Sequence, residues 1–119
     1  MSRYVDGFVL PVPKANVEAY RQLAQTAGEI WREYGALEYV ECVADDVEPG
    51  EVTSFPQSVL LKEDEVVVFA WITYALREER DRINEAVMKD PRIAGMDMQA
   101  MPFDGKRMFW GGFRAIVEL

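Results

Sequence analysis

Apolar and polar positions change period several times along this chain of 119 residues, and each change marks an element. Arg3 to Val12 alternates. Tyr4, Phe8 and Leu10 fall on one side, and Val5, Val9 and, past Pro11, Val12 on the other. Asp6 breaks the pattern, a carboxylate among apolar neighbours. The segment reads as a strand closed by Pro11 and Pro13. The period then lengthens. Val17, Tyr20, Ala24, Ala27, Trp31 and Tyr34 recur at intervals of three and four, a helical stripe widened by Leu23 and Ile30. Asn16 is placed to cap that helix and Gly35 to stop it. Gly28 inside it costs about 1 kcal/mol relative to Ala, which predicts a close packing contact there.

Ala36–Ala44 reads as a second strand, with Tyr39, Val40, Cys42 and Val43 set among acids. Asp46–Ser54 holds Pro49-Gly50 and reads as a loop, and Gln57–Leu61 as a short strand turning at Lys62–Glu65. Val66–Tyr74 is a long β-branched and aromatic run. A second helix is expected from about Arg77 to Lys89, with Ile83, Asn84, Ala86 and Val87 inward. Its outer face offers Arg77/Asp81, Glu78/Arg82 and Glu85/Lys89 at i,i+4. Asp90-Pro91 ends it. Ile93–Ala100 is Met-rich and irregular, a lid or a short helical turn. The last stretch, from Met101, carries the turn dipeptide Asp104-Gly105 and then Lys106 and Arg107. An aromatic strand, Met108–Val117, follows. Gly111-Gly112 interrupts it, which predicts a bulge, a bend or a close approach by another group.

The order of elements is doubled, β-α-β then β-α-β. It predicts an α+β, ferredoxin-like βαββαβ fold: a four-stranded antiparallel sheet with two helices on one face, a single domain over residues 1–119. Two helices cover only one face of such a sheet. Yet Val67, Phe69 and Trp71 oppose Val66, Val68 and Ile72, so the third strand is apolar on both faces where a half-solvated sheet alternates. A homodimer built through the uncovered faces is the expected consequence.

Composition narrows the function. No apolar run approaches the roughly 18 residues of a membrane span. The first residues lack the basic, apolar and small-residue regions of a secretory signal, so the cytoplasm is the expected location. A formal charge of −8 makes nucleic acid and anionic lipid poor partners. Six acids between Glu38 and Glu51, without a base among them, read as a solvated acidic edge and loop; their spacing fits no calcium loop. Cys42 is the only cysteine, which excludes an intramolecular disulfide, and with no histidine to activate it a buried inert thiol is expected. The absence of histidine also removes His-based catalysis, His-rich metal sites and imidazole-ligated haem, so no metal or other cofactor is expected.

The candidate pocket residues are Asp6, Trp71, Asn84, Asp104, Lys106, Arg107 and Trp110. Asp6 is a general base of raised pKa, or a carboxylate paired with Arg107, Arg114 or Lys106. Lys106 and Arg107 orient an anionic ligand, or answer Asp6 and Asp104 as ion pairs. Trp71 and Trp110 line an apolar pocket, or pack in the core or a dimer interface. Asn84 reaches a cleft or bonds backbone. Two functions stand side by side: a homodimer binding a small organic molecule in a sheet–helix cleft, and an enzyme working in that cleft without a cofactor. The catalytic one requires Asp6, Arg107 and either Asn84 or Trp71 to converge on one cavity.

Several of these blocks together resemble the uncharacterised YbaA-like family, a domain of unknown function in the dimeric α/β-barrel superfamily. They are Tyr4-Val-Asp-Gly-Phe-Val9, Glu33-Tyr-Gly-Ala-Leu37 leading to Glu41-Cys42, Val67-Val-Phe-Ala-Trp71, Asp90-Pro-Arg92, and Met101-Pro-Phe-Asp-Gly-Lys-Arg-Met108 with Gly111-Gly-Phe113. The resemblance covers nearly the whole chain and implies a ferredoxin-like dimer, a dimeric α/β barrel, without an established activity. Ala75-Leu76 departs from it, where such proteins often open the second helix with Ser. Distant superfamily relatives include cofactor-free oxygenases and isomerases that use a cleft between sheet and helices. By analogy of fold alone, the catalytic alternative is a cofactor-independent oxygenase or isomerase acting on a small aromatic or polyketide-like compound.

Overall fold

The computed structural model describes residues 3–119. Four strands, β1 (Tyr4–Pro13), β2 (Glu38–Val43), β3 (Glu65–Tyr74) and β4 (Phe109–Arg114), form one antiparallel sheet in the order β2-β3-β1-β4. Helix α1 (Val17–Glu33) follows β1 after a 3-10 turn at Lys14–Asn16, and α3 (Arg77–Lys89) follows β3. A short α2 (Phe55–Ser58) lies between β2 and β3, and a short α4 (Pro91–Ala94) follows α3. This is the ferredoxin-like βαββαβ arrangement, with α1 and α3 on one face of the sheet. Its two edge strands do not meet, so the chain is an open sheet rather than a closed barrel. Among the described residues no helix is long and apolar enough to cross a membrane.

Alternation sorts the side chains into two faces. Leu10, Val12 and Val68 pack with Val17, Tyr20, Phe103 and Met108, while Ile72 and Tyr74 pack with Ile30, Ile83 and Val87. These belong to the inner, helix-covered face. Val12 therefore sits with Leu10, because the extended pairing of β1 with β3 runs straight through Pro11 and keeps the alternation intact. On the outer face Val9 and Val67 are covered by Val59, just beyond α2. The rest of that face is open: Phe69 is 41% exposed, Phe109 47% and Phe113 66%. The molecule measures 39 × 37 × 20 Å, and its short axis leaves room for one sheet and one helix layer, each about 10 Å deep.

Local chemistry accounts for most of the boundaries, and for the departures from expectation. Gly28 packs as predicted: a Cβ there would lie 2.5 Å from Tyr39 Cδ1. Gly35 ends α1 at φ 117°, a backbone state that favours glycine. Asn16 does not cap α1; its Nδ2 donates instead to the Pro102 carbonyl at 3.2 Å, tying the two chain segments together. Gln57–Leu61 is not a strand. Ser54 accepts from the Gln57 N–H at 3.3 Å and a proline occupies the first turn, which are helix-start signals, and α2 results. On α3, Arg77–Asp81 and Glu85–Lys89 form at 3.8 and 3.0 Å, but Arg82 pairs with Glu79 rather than Glu78. Asp90 caps α4, with Pro91 at its start. Gly111-Gly112 makes no bulge: β4 pairs with β1 in unbroken register from Phe109 to Arg114. Cys42 is exposed rather than buried, because β2 is an edge strand.

Candidate functional site

Asp6 occupies the middle of β1, on the inner face, level with Ile72 and Gly112. It is 1% exposed. Helix α3 supplies its partners from two positions one turn apart, Arg80 and Asn84. Arg80 Nε stands 3.7 Å from Asp6 Oδ1, and Asn84 Nδ2 donates to Asp6 Oδ2 at 3.4 Å. Asn84 Oδ1 accepts from Trp31 Nε1 and from the Tyr74 hydroxyl, both at 3.0 Å. Arg80 in turn donates to the Tyr4 hydroxyl at 3.0 Å, its guanidinium 4.9 Å from the centre of the Tyr4 ring. Burial pushes the Asp6 carboxyl above its ordinary range, against the opposing pull of Arg80, Asn84 and Tyr74.

A half-buried carboxylate, Glu41, lies on β2 one register row along from Asp6, level with Ala70 and Phe8. It accepts from the Tyr20 hydroxyl and, at 2.8 Å, from the Tyr39 hydroxyl. Burial pushes its carboxyl up, and the two phenols pull it back. The same burial, with the charge of Glu41 close by, drives both tyrosine hydroxyls well above their ordinary range.

Both carboxylates border a cavity of about 470 Å³ between the sheet and the two long helices. Its floor is Phe8, Leu10, Ala70 and Ile72; Leu23, Ala27 and Trp31 of α1 and Asn84 and Met88 of α3 form its walls. The segment after α3 roofs it with Ile93, Met96, Met101, Phe103 and Met108, and Trp110 closes the β4 side, stacked on Phe8 at 6.0 Å. A shallower hollow of about 420 Å³ lies on the other side of Glu41, between α1 and β2.

The residues singled out from the sequence divide. Asp6, Asn84 and Trp110 meet at the cavity. Trp71 borders it, but alternation puts its ring on the outer sheet face, 5.8 Å from Phe69. Arg107 does not answer Asp6. It forms a two-pronged pair with Glu65 at 2.7 and 2.6 Å, bonds Asp104 at 2.9 Å and caps the Leu60 carbonyl at 3.1 Å. That clamp holds the Asp104-Gly105 turn to the start of β3, and it keeps the Glu65 and Asp104 carboxyls below their ordinary range. Lys106 is exposed, its backbone N–H on Asp104 Oδ1 at 3.0 Å. Asp104, Lys106 and Arg107 thus build the roof segment rather than line the cavity.

Arg80, Glu41, Tyr20 and Tyr39 were not foreseen as site residues. Glu41 is one of the six acids between Glu38 and Glu51 that read as a solvated edge, although its two-residue spacing from Tyr39 and Val43 places all three on one face of β2. Arg80 was legible only as the residue four before Asn84. Gly112 is explained by the same cluster, since a Cβ there would run into the Tyr4 hydroxyl and lie 2.5 Å from Arg80 Nη2.

A four-stranded ferredoxin-like sheet with two long helices on one face defines the class of this domain, and two solved structures share that fold. Both are dimeric ferredoxin-like proteins from an uncultured marine organism; they match at TM-scores of 0.63 and 0.58, each at 9% identity. The matches cover all of this chain and 100% and 98% of theirs. Residues 3–105 match the family described as "Protein of unknown function (DUF1428)", and the chain belongs to that family. Among curated relatives it is 48% identical over 116 residues, 98% of each chain, to the uncharacterised protein YbaA of Escherichia coli K12 and to that of Shigella flexneri.

Proposed function

We propose that this protein is a homodimer that binds a small organic molecule in the cleft between its sheet and helices. The observation that carries the reading is the cavity itself. Its volume of about 470 Å³ suits a small ligand, its lining is apolar and aromatic, and a few polar groups converge on it. Catalysis as a cofactor-independent oxygenase or isomerase asks Arg107 to join Asp6 and Asn84. Arg107 is instead engaged with Glu65 and Asp104, so binding is the better supported of the two. The homodimer rests on the open outer sheet face, with Phe69, Phe109 and Phe113 exposed, and on the dimeric form named for both structural neighbours.

The cleft is tested by filling it. Small aromatic compounds should raise the melting temperature and perturb tryptophan fluorescence, since Trp31 and Trp110 line the cavity. Ala27→Phe, placed in the wall by α1, should abolish both responses while the protein stays folded. Unchanged responses in that variant would place any binding elsewhere.

A further inference from the structure

We infer that the cleft selects a cationic ligand, a primary or secondary amine on an aromatic or aliphatic body, and that Glu41 is the anchor for its ammonium group. The inference rests on the cleft being a ligand site and adds the chemistry of the ligand. Its basis is a charge imbalance. The titratable acids bordering the cavity are Asp6 and Glu41, and among the described residues no Lys or Arg borders it. Asp6 has a counter-ion, since Arg80 approaches it at 3.7 Å from α3. Glu41 has none. The arginines beside the outer hollow are committed elsewhere: Arg21 to Glu18 at 2.7 Å, and Arg32 to the Leu37 carbonyl at 2.9 Å.

A carboxylate partly withdrawn from water loses hydration that a cation would replace. Two phenol hydroxyls hold Glu41 in one orientation, and each of its oxygens keeps a further lone pair for another donor. An ammonium supplies both the missing charge and that donor. The surroundings suit it as well. Tyr20 and Tyr39 flank the carboxylate, Phe103 meets Tyr20 edge-on at 5.5 Å, and Trp31 tilts against Tyr39 at 6.1 Å. Aromatic faces attract a cation and repel an anion. A net charge of −8 draws cations toward the molecule as a whole.

Three probes of one shape separate this from mere apolar filling: 2-phenylethylamine, 2-phenylethanol and 3-phenylpropanoate, titrated calorimetrically into the full chain at pH 7. The amine should bind about tenfold tighter than the alcohol, the step a charge-assisted hydrogen bond supplies, and the carboxylate should bind weakest. Glu41→Gln should erase the amine's advantage and leave the alcohol's affinity within about twofold, since it removes a charge and little volume. Tyr20→Phe keeps the charge and should keep the preference for amine. If Glu41→Gln fails to fold, the ranking on the unaltered protein decides. Equal affinities, or the carboxylate binding best, would overturn the role of Glu41 and leave the cleft as an apolar site. Binding of none of the three would overturn both readings.

Discussion

Replacing glycine by alanine inside a helix ordinarily stabilises a protein by about 1 kcal/mol. Gly28→Ala should do the opposite. Gly28 lies in α1 directly over the ring of Tyr39, and an added Cβ would stand 2.5, 2.8 and 3.0 Å from Cδ1, Cε1 and Cγ of that ring. These are the inner atoms of a rigid side chain. Nor is the ring free to slide, since its hydroxyl donates to Glu41 at 2.8 Å and its face meets Trp31. Overpacking of this kind costs about 1–3 kcal/mol. Set against the helix gain, the net is a loss of between about 0 and 2 kcal/mol. Urea unfolding followed by tryptophan fluorescence, at one fixed protein concentration, measures it. Thr26→Ala, on the exposed side of the same helix, serves as the control and should be neutral or slightly stabilising. A Gly28→Ala protein more stable than the parent would refute the reasoning, because it would mean that the Tyr39 ring is not held. The displaced ring should also weaken binding of 2-phenylethylamine, since it carries one of the two hydroxyls that fix Glu41.

Phe113→Lys puts a charge on the open outer face, and sedimentation at micromolar concentration should show the parent as a dimer and the variant as a monomer; a parent that is itself a 13.6 kDa monomer would remove the basis for the proposed assembly. Arg80→Met strips the counter-ion from buried Asp6 and should cost about 3–5 kcal/mol at pH 7. Burial holds the folded pKa of Asp6 above its unfolded value of roughly 3.9, so stability falls as pH rises through that interval. Without Arg80 the interval widens upward, and the deficit should shrink as pH is lowered toward about 4; a deficit independent of pH would mean the charge on Asp6 is not its cause. Asp90 titrates in the other sense. Hydrogen bonds from Arg92 and Tyr34 hold its carboxyl well below the usual range, so its contribution is present above the unfolded pKa and lost on acidification, and Asp90→Asn should flatten the acid limb of the stability curve. Added haemin should give no saturable Soret shift, because the chain has no histidine to ligate iron; a sharp one-to-one band would contradict that.

Periodicity alone determined most of the fold. The two-residue alternation of β1 and β3, the three-and-four spacing of α1 and the doubled β-α-β order are local properties of a chain that must bury one face of each element. The third strand, apolar on both faces, likewise marks the sheet as uncovered on one side. Asp6 and Asn84 stood out because each interrupts an apolar pattern. The i,i+4 pairs Arg77–Asp81 and Glu85–Lys89 were legible too, but the long-range pairing of charges was not. Arg107 lies close to the Asp104 turn and was read toward Asp6, yet the fold carries it to Glu65, 42 residues earlier, while Arg80 reaches Asp6 from α3 across 74. Glu41 looked like one more surface acid until α1 lay over β2 and set Tyr20 against it. Which side of a strand a residue occupies is written locally, in a period of two. Which ion it meets depends on how helices cross a sheet, and that is settled only when the whole chain has packed.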